Sequence, residues 1–166
     1  LVIVNASTIA TCVEGEGAGI INDGYIAVKG GKITEIGKGK APTETIDSDT
    51  IIIDAKGKTV TPGLVDSHTH LIHGGSREQE LPLKLKGVPY LKILKMGGGI
   101  LSTVRSTRSA AKEELKKKTL KSLDEMLIHG TTTVEAKSGY GLDLDTEVKC
   151  LEAAHELNDC HPVDIV

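Results

Sequence analysis

The sequence predicts an α/β protein, the first part of a parallel (β/α)8-type barrel preceded by a β-rich segment. Three observations predict it. The first sixty residues hold short Val- and Ile-rich runs separated by glycines, with no helical periodicity of useful length. From Thr59 onward strand-like and helix-like stretches alternate, the pattern of parallel strands joined through helices. At the end of the first of those strands stands Asp66-Ser67-His68-Thr69-His70. Strand periodicity would project three of these side chains together at the rim where such barrels do chemistry.

The β segment opens with Leu1 to Ile9, a strand candidate, followed by a loop carrying Gly15, Gly17 and Gly19. Tyr25 to Lys29 and Lys32 to Ile36 flank Gly30-Gly31, the two-residue spacing of a primed hairpin turn. Ile51 to Asp54 is a further short run, closed by Lys56-Gly57. The boundary is expected there, dividing the chain into 1–57 and 58–166.

In the second part, Thr59 to Val65 reads as one strand with an irregular entry at Pro62. Pro89 suits the first position of a short helix that stops at Gly97. Residues 100–109 read as another helical turn or two. Lys112 to His129 is the clearest helix, with Leu115, Leu123, Met126 and Leu127 on one face, Glu113 and Glu114 in the first turn and Gly130 after it. Thr131 to Glu135 is β-branched and strand-like. Leu144 to Leu157 is helical, with Leu144, Val148 and Leu151 expected on its apolar face, and Val163 to Val166 opens another strand. A closed barrel takes about 250 residues. The residues after Lys56 supply about three strands, so the chain is expected to be a fragment, with sequence also missing ahead of Leu1.

Composition narrows the functional classes. Hydrophobic residues at 39% and charged residues at 26% describe a globular chain rather than a disordered one. A net charge of −3 provides no basic field for nucleic acid or an acidic membrane. Cys12, Cys150 and Cys160 are odd in number, widely spaced and without a C-x-x-C, which argues against a disulfide framework and a cysteine metal site. With no long apolar stretch and no signal-peptide pattern, a reduced, cytoplasmic protein is expected.

Two imidazoles at i and i+2 on a strand can bind one cation from a rigid backbone, and neutral imidazole suits zinc, iron and other transition ions. His68 and His70 are therefore the candidate metal ligands, with Asp66 placed to orient a ligand from behind. An H-x-H alone is a weak signal; its position after Pro62-Gly63-Leu64-Val65, between a β region and an α/β region, strengthens it. His73 is a candidate third ligand, better read as a loop residue. His129 and His155 fall on helices and read as solvent or packing residues, and His161, before Pro162, as a turn residue. Two histidines do not complete a site that commonly has three protein ligands and a water. Further ligands are expected beyond Val166. GGG at 97–99 lacks the lysine of a phosphate loop. Arg105 and Arg108 read as structural ion-pairing residues.

TPGLVDSHTH at 61–70 resembles the first barrel strand of the amidohydrolase superfamily, whose members hydrolyse amide, lactam and amidine bonds at one or two metal ions. GGSRE at 74–78, LKGVPYL at 85–91, GGGILSTVR at 97–105 and VEAKSGYGLD at 134–143 together resemble the imidazolonepropionase family of histidine degradation. The resemblance runs from about Pro62 to Val166, with a looser match before it. It implies a small β-sandwich assembled from both chain ends beside a (β/α)8 barrel, and one divalent ion, zinc or iron. It implies a small-molecule substrate, 4-imidazolone-5-propanoate, opened by water to N-formimidoyl-L-glutamate, and is compatible with a homodimer. By position, His68 and His70 match metal ligands, Arg77 and Tyr140 match substrate-binding residues, and Tyr90 matches a further pocket residue. The catalytic acid/base groups have no counterpart in this chain.

The residues are chemically apt for those roles. A guanidinium grips a propionate carboxylate through paired hydrogen bonds, although Arg77 could instead pair with Glu78 or Glu80. A tyrosine hydroxyl at 140, between two glycines, can hydrogen-bond a polar ring without adding charge, or it could simply pack at a turn. Glu135 and Lys137 share a strand face and read as lining or structural residues. The alternatives are another hydrolase or deaminase of the superfamily, or an inactive half-barrel.

Overall fold

The computed structural model describes residues 1–13, 15 and 17–166. The chain divides into two compact units, Leu1–Pro62 and Gly63–Val166. It is a mixed α/β protein, with the first unit built on β-strands and the second on alternating strands and helices.

In the first unit, β1 (Val2–Ala10) lies between β2 (Ile20–Lys29) and β4 (Ile52–Asp54), with β3 (Lys32–Lys38) outside β2 and β5 (Thr59–Val60) also paired to β1. The β2–β3 hairpin closes through Gly30 and Gly31 at φ 59° and 75°, the positive pair that a primed turn requires. Ala6, Ile9, Ile26 and Ala55 form the core of this sheet. The β1–β2 register shifts between Ile3 and Ala6, and Asn5 takes the left-handed conformation there at φ 56°. Its side-chain amide donates to Asp54 Oδ1 at 3.0 Å, a local bond of the kind that makes Asn tolerable in that region. The stretch expected to be one strand from Thr59 to Val65 is divided. β5 ends at Val60 and joins the first unit, and Pro62, which has no N–H to give a ladder, separates it from β6 (Leu64–Thr69).

The second unit is a parallel sheet in the order β6, β7 (Thr131–Ala136), β8 (Asp164–Ile165). Between β6 and β7 the chain passes through α1 (Leu81–Leu85), α2 (Tyr90–Lys95), α3 (Ile100–Ser109) and α4 (Lys112–Ile128). α5 (Leu144–Asn158) connects β7 to β8. Pro89 precedes α2 in an extended conformation instead of occupying its first turn, so its missing N–H costs that helix nothing. α4 turns Leu115, Thr119 and Leu123 inward at four-residue spacing, and Met126 packs against the same core. Leu127, expected beside them, is exposed because the fourth turn rotates it off that stripe.

α5 departs most from expectation. Its buried residues are Thr146, Cys150, Ala153, Ala154 and Leu157, whereas Leu144, Val148 and Leu151 face outward at 77%, 42% and 49% exposure. Both stripes are periodic. The inward one is mostly of small side chains with Leu157 at its end, and it packs in one core with Leu123 and Val134. Asp143 caps α5 by accepting from Thr146 N at 2.8 Å. Lys112 and Lys116 of α4 meet Glu156 of α5 at 2.6 Å each, and those two ammonium groups hold its carboxyl down at about 2. Cys12, Cys150 and Cys160 are all free thiols. Among the described residues no helix is long and apolar enough to cross a membrane.

Candidate functional site

Parallel pairing with β7 orders β6 so that its C-terminal end meets the end of β7. Asp66 is opposite Val134, and Thr69 opposite Ala136. Thr69 Oγ1 donates to Glu135 O at 2.6 Å and Lys137 N donates to Thr69 O at 2.9 Å, tying the two strand ends together just where the histidines emerge. The His68 and His70 rings stand edge to face with centroids 6.1 Å apart. His68 is exposed. His70 is half-buried, and its Nδ1 is fully buried without a hydrogen-bond partner. A buried imidazole nitrogen left unpaired is costly unless something else satisfies it. Asp66 Oδ1 accepts from His68 N at 3.3 Å, so its contact is with the backbone of the strand.

Past β6 the chain turns through Leu71 and Ile72, both buried, and delivers His73, Ser76 and Arg77 to a cleft of about 260 Å³. His70, Thr103 and Tyr140 complete its lining. The structure thus brings Tyr140, distant in sequence, to the neighbouring His70 and Arg77. Tyr140 stacks at a tilt 4.9 Å from His70 and 5.8 Å from His73 between ring centroids. Among the described residues Arg77 has no carboxylate within ion-pairing distance, and neither Glu78 nor Glu80 engages it.

The turn leading to Arg77 is held from α4. Lys118 Nζ donates to His73 O at 3.1 Å and to Gly75 O at 2.6 Å, and lies 2.9 Å from His73 Nδ1. Burial lowers the His73 pKa, and the Lys118 ammonium lowers it further. Burial likewise lowers the Lys118 pKa, against a weak opposing pull from Glu78. A neutral His73 accepting at Nδ1 satisfies both groups. Gly74 N donates to Thr107 Oγ1 at 2.9 Å, fixing the same turn to α3.

Tyr140 sits in a loop that sequence reasoning left unexplained. Glu147, in the first turn of α5, accepts from Gly139 N, Gly141 N and Leu142 N, each at 2.8 Å. Burial raises its pKa, but the three amides outweigh burial and leave it lowered. On the other side Arg108 Nε donates to Gly141 O at 2.6 Å and pairs with Asp143 at 2.7 Å, the structural role expected of it.

Tyr90 begins α2, is 48% exposed and is not among the residues lining this cleft; its hydroxyl lies against Gly99. Glu135 and Lys137 pair with one another at 2.7 Å. Arg105 donates to Gly97 O. His129 lies against Glu125 O in α4, His155 is exposed, and His161 bonds Val163 N and Asp124. Among the described residues no three His, Cys, Asp or Glu side chains converge to hold a metal ion. His68 and His70 nevertheless fit part of a metal site: two imidazoles at a strand end, one with an orphaned buried nitrogen.

Comparison with known proteins places this geometry. Residues 52–92 match the profile described as Amidohydrolase family. The chain is 63% identical over 143 residues to the imidazolonepropionase of Treponema denticola, an alignment covering 86% of this chain and 35% of that protein. It is 58% identical over 154 residues to the imidazolonepropionase of Alkaliphilus oremlandii, covering 92% and 36%. The chain spans about a third of the length of these curated relatives. Among solved structures, an uncharacterized protein aligns at TM-score 0.60 with 18% identity over 99% of this chain and 30% of its own. A Xaa-Pro dipeptidase with bound methionine aligns at 0.59 with 17% identity over 99% and 32%. These two likenesses concern the fold alone.

Proposed function

With kinship to the imidazolonepropionases shown over nine-tenths of the chain, we propose that the intact protein hydrolyses 4-imidazolone-5-propanoate to N-formimidoyl-L-glutamate. The observation that carries the reading is the cleft in which His70, Arg77 and Tyr140 meet. Identity in sequence points to the reaction, and the cleft supplies an anion-binding group, a neutral hydrogen-bonding group and a metal-type ligand on one wall.

The roles follow from chemistry. Arg77, with no carboxylate in ion-pairing distance among the described residues, takes the propionate through paired charge-assisted hydrogen bonds. Tyr140 offers its hydroxyl to the ring, and its stacking on His70 sets its distance from the metal side of the cleft. Burial, with the Lys118 ammonium adding to it, disfavours a charged His73, and Lys118 also holds the turn that carries Arg77. His68 and His70 would hold one divalent ion, zinc or iron, with Asp66 steadying the strand beneath them. When bound, such an ion polarises the ring carbonyl and lowers the pKa of a water. Remaining ligands and the acid/base group that carries the proton to the leaving ring nitrogen are assigned to the protein outside residues 1–166, since the relatives are far longer.

The same reading takes β6, β7 and β8 as the first three strands of a (β/α)8 barrel and the first unit as part of a β-sandwich. The parallel order β6-β7-β8 and the connecting helices support it. A cytoplasmic location, and action on a small molecule without nucleic acid or membrane, belong to the proposal.

The test is an assay of the full-length protein with imidazolone propionate, following loss of the ring and appearance of the formimidoyl product. Ring opening without ammonia release is expected. Deamination of cyclic amidines with no turnover of imidazolone propionate would replace this reading by another amidohydrolase activity.

A further inference from the structure

We propose that Glu147 is a positioning residue for substrate binding, its carboxylate gripping three loop amides so as to hold Tyr140 against the cleft. The inference rests on the reading of Tyr140 as a substrate-contacting residue.

Glu147 uses both carboxylate oxygens. Oε1 receives Gly141 N and Leu142 N, and Oε2 receives Gly139 N, all at 2.8 Å. The two bonded glycines flank Tyr140, so the backbone on each side of the phenol is anchored to one rigid group. An ionised acceptor makes each of these bonds stronger than a neutral one would. Arg108 holds the carbonyl of Gly141 from the opposite side. The loop is thus fixed through its donors by α5 and through an acceptor by α3.

The positions of the glycines show how closely the loop is seated. Gly139 has φ 138°, and a Cβ there would lie 3.1 Å from His70 Cε1. A Cβ on Gly141 would lie 2.8 Å from Thr146 Cβ. Small displacements of this loop therefore move the tyrosine ring relative to His70, with which it stacks at 4.9 Å. Capping of α5 does not explain Glu147, because Asp143 already accepts from Thr146 N. Nor does an ion pair, because among the described residues no cation lies within 4 Å of its carboxylate. Its partners are the loop amides.

Glu147→Gln in the full-length protein preserves size but turns an NH2 group towards N–H donors. Hydrogen exchange at Gly139, Gly141 and Leu142 should quicken by about tenfold or more, while amides along α5 keep their protection. For imidazolone propionate KM should rise about tenfold with kcat within about twofold, the signature of lost uniform binding. In a Tyr140→Phe background the same change should add little further, because the hydroxyl being positioned is gone. Unchanged exchange at the three amides overturns the inference, as does unchanged KM or an equal additional loss in the Tyr140→Phe background. A wild-type protein inactive on imidazolone propionate overturns the functional reading instead, and the exchange rates then decide the loop clamp by themselves.

Discussion

Among the described residues Arg77 reaches the cleft with no carboxylate within ion-pairing distance, and its energetic role follows from that. A guanidinium offered to a substrate carboxylate forms charge-assisted bonds worth about 1.5–3 kcal/mol. On the proposed function, Arg77→Ala in the full-length protein should therefore raise KM for imidazolone propionate by about tenfold to a hundredfold. Arg77→Lys should recover only part, since an ammonium lacks the two-pronged geometry. Equal kinetics for all three proteins would remove Arg77 from the substrate's path. His73 makes a pH prediction. Its pKa is lowered by burial and by Lys118 from an ordinary 6.5, so the folded protein binds its proton less readily than the unfolded chain. The stability this contributes is fully present above pH 6.5 and is lost as pH falls through the lowered folded value. An NMR titration of the His73 ring should show a midpoint below 6.5; a midpoint at or above it contradicts the Lys118 arrangement. Arg77 and Tyr140 became candidates through the family resemblance, and their side-chain chemistry suited the roles it implied. Glu147 was not legible, because its partners are backbone amides and nothing in its side chain announces that.

Helices α4 and α5 show which face a periodic pattern can and cannot reveal. In α4 the large residues Leu115 and Leu123 are the buried ones, so hydrophobic spacing pointed to the core correctly. In α5 the larger residues Leu144, Val148 and Leu151 face out, and the core takes Cys150, Ala153, Ala154 and Leu157. Apart from Leu157 the seated face is of small side chains, a choice set by tertiary packing that one-dimensional hydropathy does not carry. Leu123→Ala should accordingly destabilise the full-length protein by about 2–5 kcal/mol, through lost burial and a cavity. Leu144→Ser should change stability by no more than about 0.5 kcal/mol. Denaturant midpoints for the two variants check both, and the reverse ranking would mean that α5 is seated by its other face. The hairpin at Gly30-Gly31 was legible for the opposite reason. A positive-φ turn is a local requirement, and glycine states it directly.

At the scale of the whole molecule, the chain joins a β-rich unit to a parallel α/β unit whose first strand carries the metal-type histidines. Alternation of strand and helix made the second unit readable in outline. The division at Pro62 was less so, because Thr59 to Val65 reads as one strand with an irregular entry and makes two separate pairings in space. The cleft could not be read from spacing at all, since His70, Arg77 and Tyr140 meet only after β6 and β7 pair and the intervening helices fold back. What unites the account is the proposal that His68 and His70 hold an ion for the proposed hydrolysis. The most direct test is metal content and turnover of the full-length protein beside its His70→Ala variant. About one zinc or iron per wild-type chain, with loss of both the metal and imidazolone propionate hydrolysis in the variant, is the predicted result. A variant that keeps its metal and its activity would contradict the account.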